Sequence, residues 1–189
     1  MLLCLQGSGY PQYILTRAAE FDDTETIKNL YFPLYNKIFF YWFPVTEEYD
    51  VCPRWPIPPN FNNFINFVIQ YHGHPLLLVD IKPPSNFQSD LGRNAAILQT
   101  IHHLDKIGPR NHYVDQLYAI SAVGKRWRAC YAPKGQGSEG AQPVKGIAKS
   151  DSLRSGSPEC WNPDITSDAS WAALQNIVKT IKRNVDSRI

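Results

Sequence analysis

A run of large aliphatic residues that ends in an acid and a lysine constrains this sequence most strongly. Residues Leu76 to Val79 predict a buried strand, which continues through Asp80, Ile81 and Lys82 before two prolines stop it. Residues two apart on a strand point to the same face, so Asp80 and Lys82 should project together. A buried carboxylate and ammonium group are costly unless they pair or bind something. The pattern therefore predicts a strand with a functional pair at its end.

The composition fits one globular domain. The 189 residues are 43% hydrophobic, 13% aromatic and 19% charged, which is enough apolar material for a sizeable core. The net charge of +2 neither demands nor excludes a nucleic-acid partner. We expect a single domain over residues 1–189, with an N-terminal extension (1–24), a long surface loop (133–160) and a C-terminal helix (167–186).

Neither the cysteines nor the hydropathy indicates export. The four cysteines are scattered without Cys-x-x-Cys spacing, which favours reduced thiols over a zinc site. The first apolar run, residues 1–5, is too short for a signal peptide, and no stretch approaches the ~18 apolar residues of a membrane span. We therefore expect an intracellular protein, cytoplasmic or nuclear, with no membrane partner.

The predicted elements follow the order helix, loop, strand, strand, helix, strand, strand, helix. The proline-rich stretch 44–60 is predicted as an extended loop with at most one short strand. Periodicity predicts helices over 25–43, 85–107 and 168–185, and strands over 61–71, 117–122 and 126–132 besides the strand with the acid and lysine. The fold class is therefore α/β or α+β, with a mixed central sheet flanked by helices.

The first two strands predict a hairpin, whose register decides what faces the charged pair. With a four-residue turn over residues 72–75, Tyr71 faces Leu76, and Asp80 lies opposite Phe67. A change of one residue in this register would bring a different side chain to the pair.

A hairpin whose second strand carries Asp-x-Lys, followed by a helix and another strand, resembles the PD-(D/E)XK nuclease superfamily, with its restriction-endonuclease-like core. The resemblance covers residues 61–132. It implies a metal-dependent nuclease that hydrolyses DNA or RNA, with Mg²⁺ or Mn²⁺ as cofactor, nucleic acid as partner and the oligomeric state left open, a homodimer included. It also implies that Asp80 binds the metal, that Lys82 orients or deprotonates water, and that the Ile81 carbonyl is a further ligand. The Ile-Lys-Pro-Pro strand end also resembles uncharacterised fungal proteins, which implies a fold rather than an activity.

The sequence departs from this family at the acid of the first hairpin strand, which contains no Asp or Glu. Asn63 fits the acid position, with Asn62 or Asn66 in its place if the register shifts. An amide oxygen is neutral and binds Mg²⁺ more weakly than a carboxylate. Asp50 or Glu48 from the preceding loop would supply a second charge; otherwise the metal is bound weakly or the site is inactive.

Two further residue types bear on the site. In some branches of the superfamily the helix after the hairpin carries a glutamine that faces the site, which Gln99 would supply, with His103 one turn on. Glu25 would be an additional acid, as in other branches.

The missing acid leaves two hypotheses open: an active nuclease, or a catalytically degenerate nuclease-like fold that binds nucleic acid or a protein. A third is an unrelated interaction domain with a structural Asp-x-Lys.

The stretch 125–149 interleaves basic residues with aromatic residues and glycines. Such a stretch can follow a phosphate chain and stack on bases. The residues that we expect to contact a nucleic-acid backbone are Lys125, Arg126, Arg128 and Lys134.

Overall fold

Six strands form one mixed sheet in the computed structural model, which describes residues 9–57, 60–144 and 153–187. Each strand lies beside its neighbour in sequence, and only the third and fourth run parallel. The strands are β1 (Tyr49–Ile57), β2 (Asn60–Tyr71), β3 (His74–Lys82), β4 (Gln116–Val123), β5 (Arg126–Pro133) and β6 (Gln142–Pro143). The mixed sheet confirms the predicted fold class.

Helices cover both faces of this sheet. They are α1 (Gln12–Ala19), α2 (Phe32–Trp42), α3 (Asp90–Ile107) and α4 (Asp168–Asp186). The largest hydrophobic cluster joins α1, α2 and α4 to one face, and two smaller clusters join α3 to the other. α3 is the crossover that the parallel pair β3 and β4 requires. Ser89 and Ser167 cap the last two helices, because their hydroxyls accept a backbone N–H three residues on.

The proline-rich segment is a nine-residue strand, so the prediction of a loop over 44–60 was wrong. β1 pairs antiparallel with β2 and lies at the edge of the sheet. Proline lacks the N–H that a central strand must donate, but an edge strand has one side without a partner. Pro53 and Pro56 are both exposed and are tolerated at this edge.

The first predicted helix is shorter than expected. α2 begins at Phe32, after a 3-10 turn over Lys28–Tyr31, instead of at residue 25. Pro33 lies in the first turn of α2, where its missing N–H has no helical partner in any case, so it starts the helix and does not kink it. The expected extension, residues 1–24, contains α1.

The expected surface loop 133–160 carries some regular structure in its described part. A 3-10 turn over Ser138–Gly140 precedes β6, which pairs with β5, and a second covers Pro158–Cys160. Residues 145–152 of this loop, including two of its lysines, lie outside the described residues.

The β2–β3 hairpin has a tighter turn than predicted. His72 and Gly73 alone form the turn, both with positive φ, as in a type I′ turn, so Tyr71 pairs with His74. A bulge at Leu76 then shifts the register by one residue, since Ile69 pairs with Leu77. The predicted register was therefore wrong by one position at the charged pair.

Candidate functional site

The Asp80 carboxylate is buried between the sheet and α3. Its residue is 1% exposed, and both oxygens accept hydrogen bonds from one face of the helix. Gln99 Nε2 donates to Oδ1 at 3.0 Å, and Nδ1 of His103 lies 2.8 Å from Oδ2. The His103 Nδ1 donates to the carboxylate in the tautomer that carries its hydrogen on that nitrogen. Gln99 and His103 are four residues apart, which places them one turn apart on the same helix face.

Polar side chains flank Asp80 on both neighbouring strands. Val79 pairs with Phe67, so Asn66 lies beside Asp80 on β2, and Ser121 is its partner on β4. Asn66 is fully buried, and its Oδ1 accepts the Ile81 N–H at 2.6 Å. The Asn66 Nδ2 and the Ser121 Oγ are buried and have no hydrogen-bond partner among the described residues. The carboxylate therefore lies in a polar strip across the sheet.

Three cations gather at the rim of this strip. Lys82, two residues after the acid, is half-buried on the same face of β3. The Lys28 ammonium lies 5.4 Å and the Arg54 guanidinium 4.6 Å from the centre of the Phe64 ring. Burial lowers the pKa of Lys28, as do the charges of Lys82 and Arg54, while the Asp80 charge raises it. We call Lys28, Arg54 and Lys82 the cation rim.

The backbone holds Lys82 in place. Its carbonyl accepts the Gly124 N–H at 2.9 Å, and the Gly124 carbonyl accepts the buried Tyr35 hydroxyl at 2.8 Å. The β4–β5 turn is thus fixed between α2 and the end of β3, which gives Lys82 a rigid base.

Arg54 lies at a local distortion of the β1–β2 hairpin. Its φ is 52°, a left-handed conformation that is uncommon outside glycine, and it lies between the pairs Pro53–Phe67 and Trp55–Ile65. Ile65 and Phe67 belong to different hydrophobic clusters although residues two apart share a strand face, so β2 bends between them.

The structure does not bring the other predicted metal ligands to Asp80. Asn63 is exposed, and the shifted register places Asn66 beside the acid. Asp50 is exposed and pairs with Gln70, four residues and so about 13 Å along β2 from Asn66.

Of the alternative acids, Glu25 lies near the end of β3, where its carbonyl accepts the Ser85 N–H at 3.4 Å, and Glu48 lies at the other end of the hairpin. Glu48 contacts His72 and Tyr71 at the hairpin turn. The Glu25 charge acts with those of Asp22 and Asp23 on Tyr31, whose pKa burial and these charges raise to about 12.

The donor set at Asp80 does not fit Mg²⁺. This ion prefers near-octahedral oxygen coordination and one or two carboxylates. Both oxygens of Asp80 already accept hydrogen bonds, and Asn66 Oδ1 is occupied by the Ile81 amide. Across the described ranges, no three His, Cys, Asp or Glu side chains converge as metal ligands. Lys28 brings a positive charge close enough to Asp80 for the two charges to interact, which opposes a divalent cation further.

The four residues predicted to contact nucleic acid do not form one surface. Arg128 is buried, and its guanidinium donates to the carbonyls of Leu153 and Ser155. Arg126 pairs with Asp23 at 3.0 Å.

Lys125 and Arg126 lie at the end of β5 nearest the cation rim, because Arg126 pairs with Val123 and Val123 with Lys82. The exposed Lys134 follows the opposite end of β5, eight residues and about 26 Å away. Arg128 and Lys134 therefore do not extend the rim.

Sequence analysis missed two residues of the cation rim. Lys28 and Arg54 precede the matched core, and one occupies a 3-10 turn and the other an unpredicted strand. No spacing in the sequence predicts that they lie near Lys82. The bend of β2 and the packing of both side chains on Phe64 bring them there. Ser121 lay on a predicted strand, but its place beside Asp80 depends on a parallel register that the sequence does not specify.

Neither a protein-family model nor a curated protein matches this chain. Among solved structures, the chain is similar to the type IIG restriction endonuclease BpuSI, with a TM-score of 0.51 and 12% sequence identity. The match covers 88% of this chain and 18% of that enzyme, so the chain spans less than a fifth of the length of the enzyme.

The predicted resemblance to fungal proteins finds no support in these comparisons. No helix in the described ranges is both long and apolar enough to cross a bilayer. The chain has a restriction-endonuclease-like fold.

Proposed function

We propose that this chain is a catalytically degenerate nuclease-like fold that binds the phosphate backbone of nucleic acid through Lys28, Arg54 and Lys82. The Lys28 charge interacts with those of Lys82, Arg54 and the buried Asp80 carboxylate, and this convergence of three cations carries the proposal. Their mutual repulsion is relieved when a phosphate lies between them, and counterion release adds to the affinity.

The arrangement of Lys28 and Arg54 suits a phosphate chain. Both charged groups lie over the same phenyl ring, so cation–π contact with Phe64 holds them beside each other. Cations held in fixed positions, here the exposed Arg54 and the half-buried Lys28 and Lys82, bind phosphate with a smaller loss of side-chain entropy than free ones. Lys125 and Arg126, at the same end of the sheet, would extend the contact.

Fluorescence anisotropy with labelled single-stranded DNA, duplex DNA and RNA tests this proposal. The variants Lys28→Gln, Arg54→Gln and Lys82→Gln should each weaken binding and reduce the slope of log K against log salt by about 1. Lys37→Gln, an exposed lysine on α2, is the charge-matched control and should leave both unchanged. Equal affinity and equal slope in all four variants would overturn the proposal.

A metal-dependent nuclease is the second candidate. It is favoured by the shared face of Asp80 and Lys82 and by the hydrogen bond from Gln99 to the acid. In this alternative Asn66 would take the role expected of Asn63, and Asp80 would hold the metal in place of its bonds to Gln99 and His103. It predicts cleavage of plasmid or RNA that needs Mg²⁺ or Mn²⁺, stops with EDTA and disappears in Asp80→Asn and Lys82→Gln. The binding proposal predicts no cleavage in any of these incubations.

A further inference from the structure

A groove lies where β3 begins, at the end of the strand opposite to Lys82. It encloses about 500 Å³ between β1, the start of β3 and the end of α3. Its aromatic wall consists of the half-buried Trp55 and a stacked pair, His74 and Tyr113, whose ring centres are 4.1 Å apart at 3°. Its basic wall consists of the exposed Lys106 and Arg110. The volume is in the range of small-molecule sites.

The backbone around this groove is tied down. Asn111, buried at its base, donates from Nδ2 to the Pro75 carbonyl at 2.6 Å and accepts the Tyr113 N–H on Oδ1. Its own carbonyl accepts the Gly135 N–H at 3.2 Å. These bonds fix the 111–113 loop against β3, so the aromatic wall exists before a ligand arrives and little ordering is required on binding.

The charge of the groove is one-sided. Among the described residues, no Asp or Glu lines it, and Lys106 and Arg110 form no ion pair with any of them. A ligand that satisfies both walls has a planar aromatic part and an anionic part. An aromatic face accepts any nucleobase by stacking, and two cations suit a phosphate.

We propose that this groove binds a nucleotide unit, with the base against Trp55 or the His74–Tyr113 pair and the phosphate between Lys106 and Arg110. The unit is either a free nucleoside monophosphate or one residue of a single strand, since both present this chemistry. The site is distinct from Lys82, because His74 lies eight residues, about 26 Å along β3, from it, whereas Trp55 directly follows the rim residue Arg54 on β1.

Isothermal titration calorimetry of the full chain with thymidine monophosphate, thymidine and deoxyribose 5-phosphate tests the site. Thymidine monophosphate should bind with a Kd of about 1 mM or lower, and each fragment about tenfold more weakly, because each satisfies one wall. Arg110→Gln and Lys106→Gln should each weaken the monophosphate several-fold, while Lys37→Gln should not. Trp55→Phe keeps the packing and should weaken the nucleotide more than the sugar phosphate.

Two results would overturn this assignment: no heat from thymidine monophosphate at about 1 mM, or unchanged affinity in the Lys106→Gln, Arg110→Gln double variant. A short oligothymidylate distinguishes the two sources of the ligand. Tighter binding per site than the monophosphate, lost in the double variant, identifies a strand; tighter monophosphate binding identifies a free nucleotide. Lys82→Gln should leave monophosphate binding intact, so this test stands or fails independently of the cation rim.

Discussion

Replacing Asp80 by asparagine tests whether the carboxylate is a structural acceptor or a metal ligand. The carboxylate is 1% exposed and accepts hydrogen bonds from Gln99 and His103, so each of its oxygens already has a partner within the fold. Asparagine keeps the shape but offers only one oxygen, and its NH₂ group then faces the other donor. We therefore expect Asp80→Asn to destabilise the protein.

The magnitude follows from these two bonds. Hydrogen bonds to a charged group contribute about 1.5–3 kcal/mol each, and an ordinary bond about 1 kcal/mol. Asparagine loses the charge assistance at one donor and leaves the other unsatisfied, which amounts to about 3 kcal/mol. For a chain of this size, that corresponds to a fall in Tm of about 6–12 °C. Urea denaturation and differential scanning calorimetry of the two proteins measure both quantities.

The matched control is Asp50→Asn, which changes an exposed acid on β1 and should alter the free energy of unfolding by less than about 0.5 kcal/mol. Saturating Mg²⁺ should leave the Tm of the parent protein unchanged. An acid kept for metal binding behaves in the opposite way, since its removal relieves electrostatic strain and stabilises the fold. A stable Asp80→Asn protein, together with a Tm that rises by about 5 °C or more in Mg²⁺, would refute the structural interpretation.

Three further predictions concern the surrounding fold. Gly124→Ala should lower the free energy of unfolding by about 3 kcal/mol, because φ is +61° and the new methyl group would lie 2.9 Å from a carbon of Pro84. Gly73→Ala, at φ +78° with open space around it, should lower it by only about 1 kcal/mol. Chemical denaturation compares the two variants. Arg128→Gln should cost about 2–4 kcal/mol and leave nucleic-acid affinity unchanged, since its guanidinium is buried on two carbonyls. Burial raises the pKa of Cys130 to about 12, so this thiol should react only after unfolding. At pH 8, mass spectrometry should therefore find alkylation at the half-buried Cys52 before Cys130. Early labelling of Cys130 would contradict its burial.

Most of the fold was predictable because its strongest signals are local. The apolar run of β3, the alternation in β2 and the apolar stripes of α3 and α4 each need only neighbouring residues to be recognised, although α3 begins at Asp90 and not at residue 85. β1 was missed because prolines argue against a strand, and only its position at the edge of the sheet makes them acceptable. The bounds of α2 were missed because the meaning of Pro33 depends on where the helix starts.

The site was less predictable, since it depends on register and on packing between distant segments. Asp80 and Lys82 were singled out because an i, i+2 pair on a strand is a local feature, and Gln99 was named only through the resemblance to the nuclease superfamily. The bulge at Leu76 exchanged the expected Asn63 for Asn66, and no sequence rule places a bulge with that accuracy. Arg128 seemed a surface residue, because its burial depends on residues 153–155 of a distant loop.

The most direct test of the central claim is a crystal grown or soaked with Mn²⁺ and examined by anomalous scattering. We expect Asp80 to keep its bonds to Gln99 and His103, with no anomalous peak beside it and the cation rim free of metal. A peak about 2.1 Å from an Asp80 oxygen, with the two helix side chains displaced, would contradict this account and restore the metal-dependent nuclease.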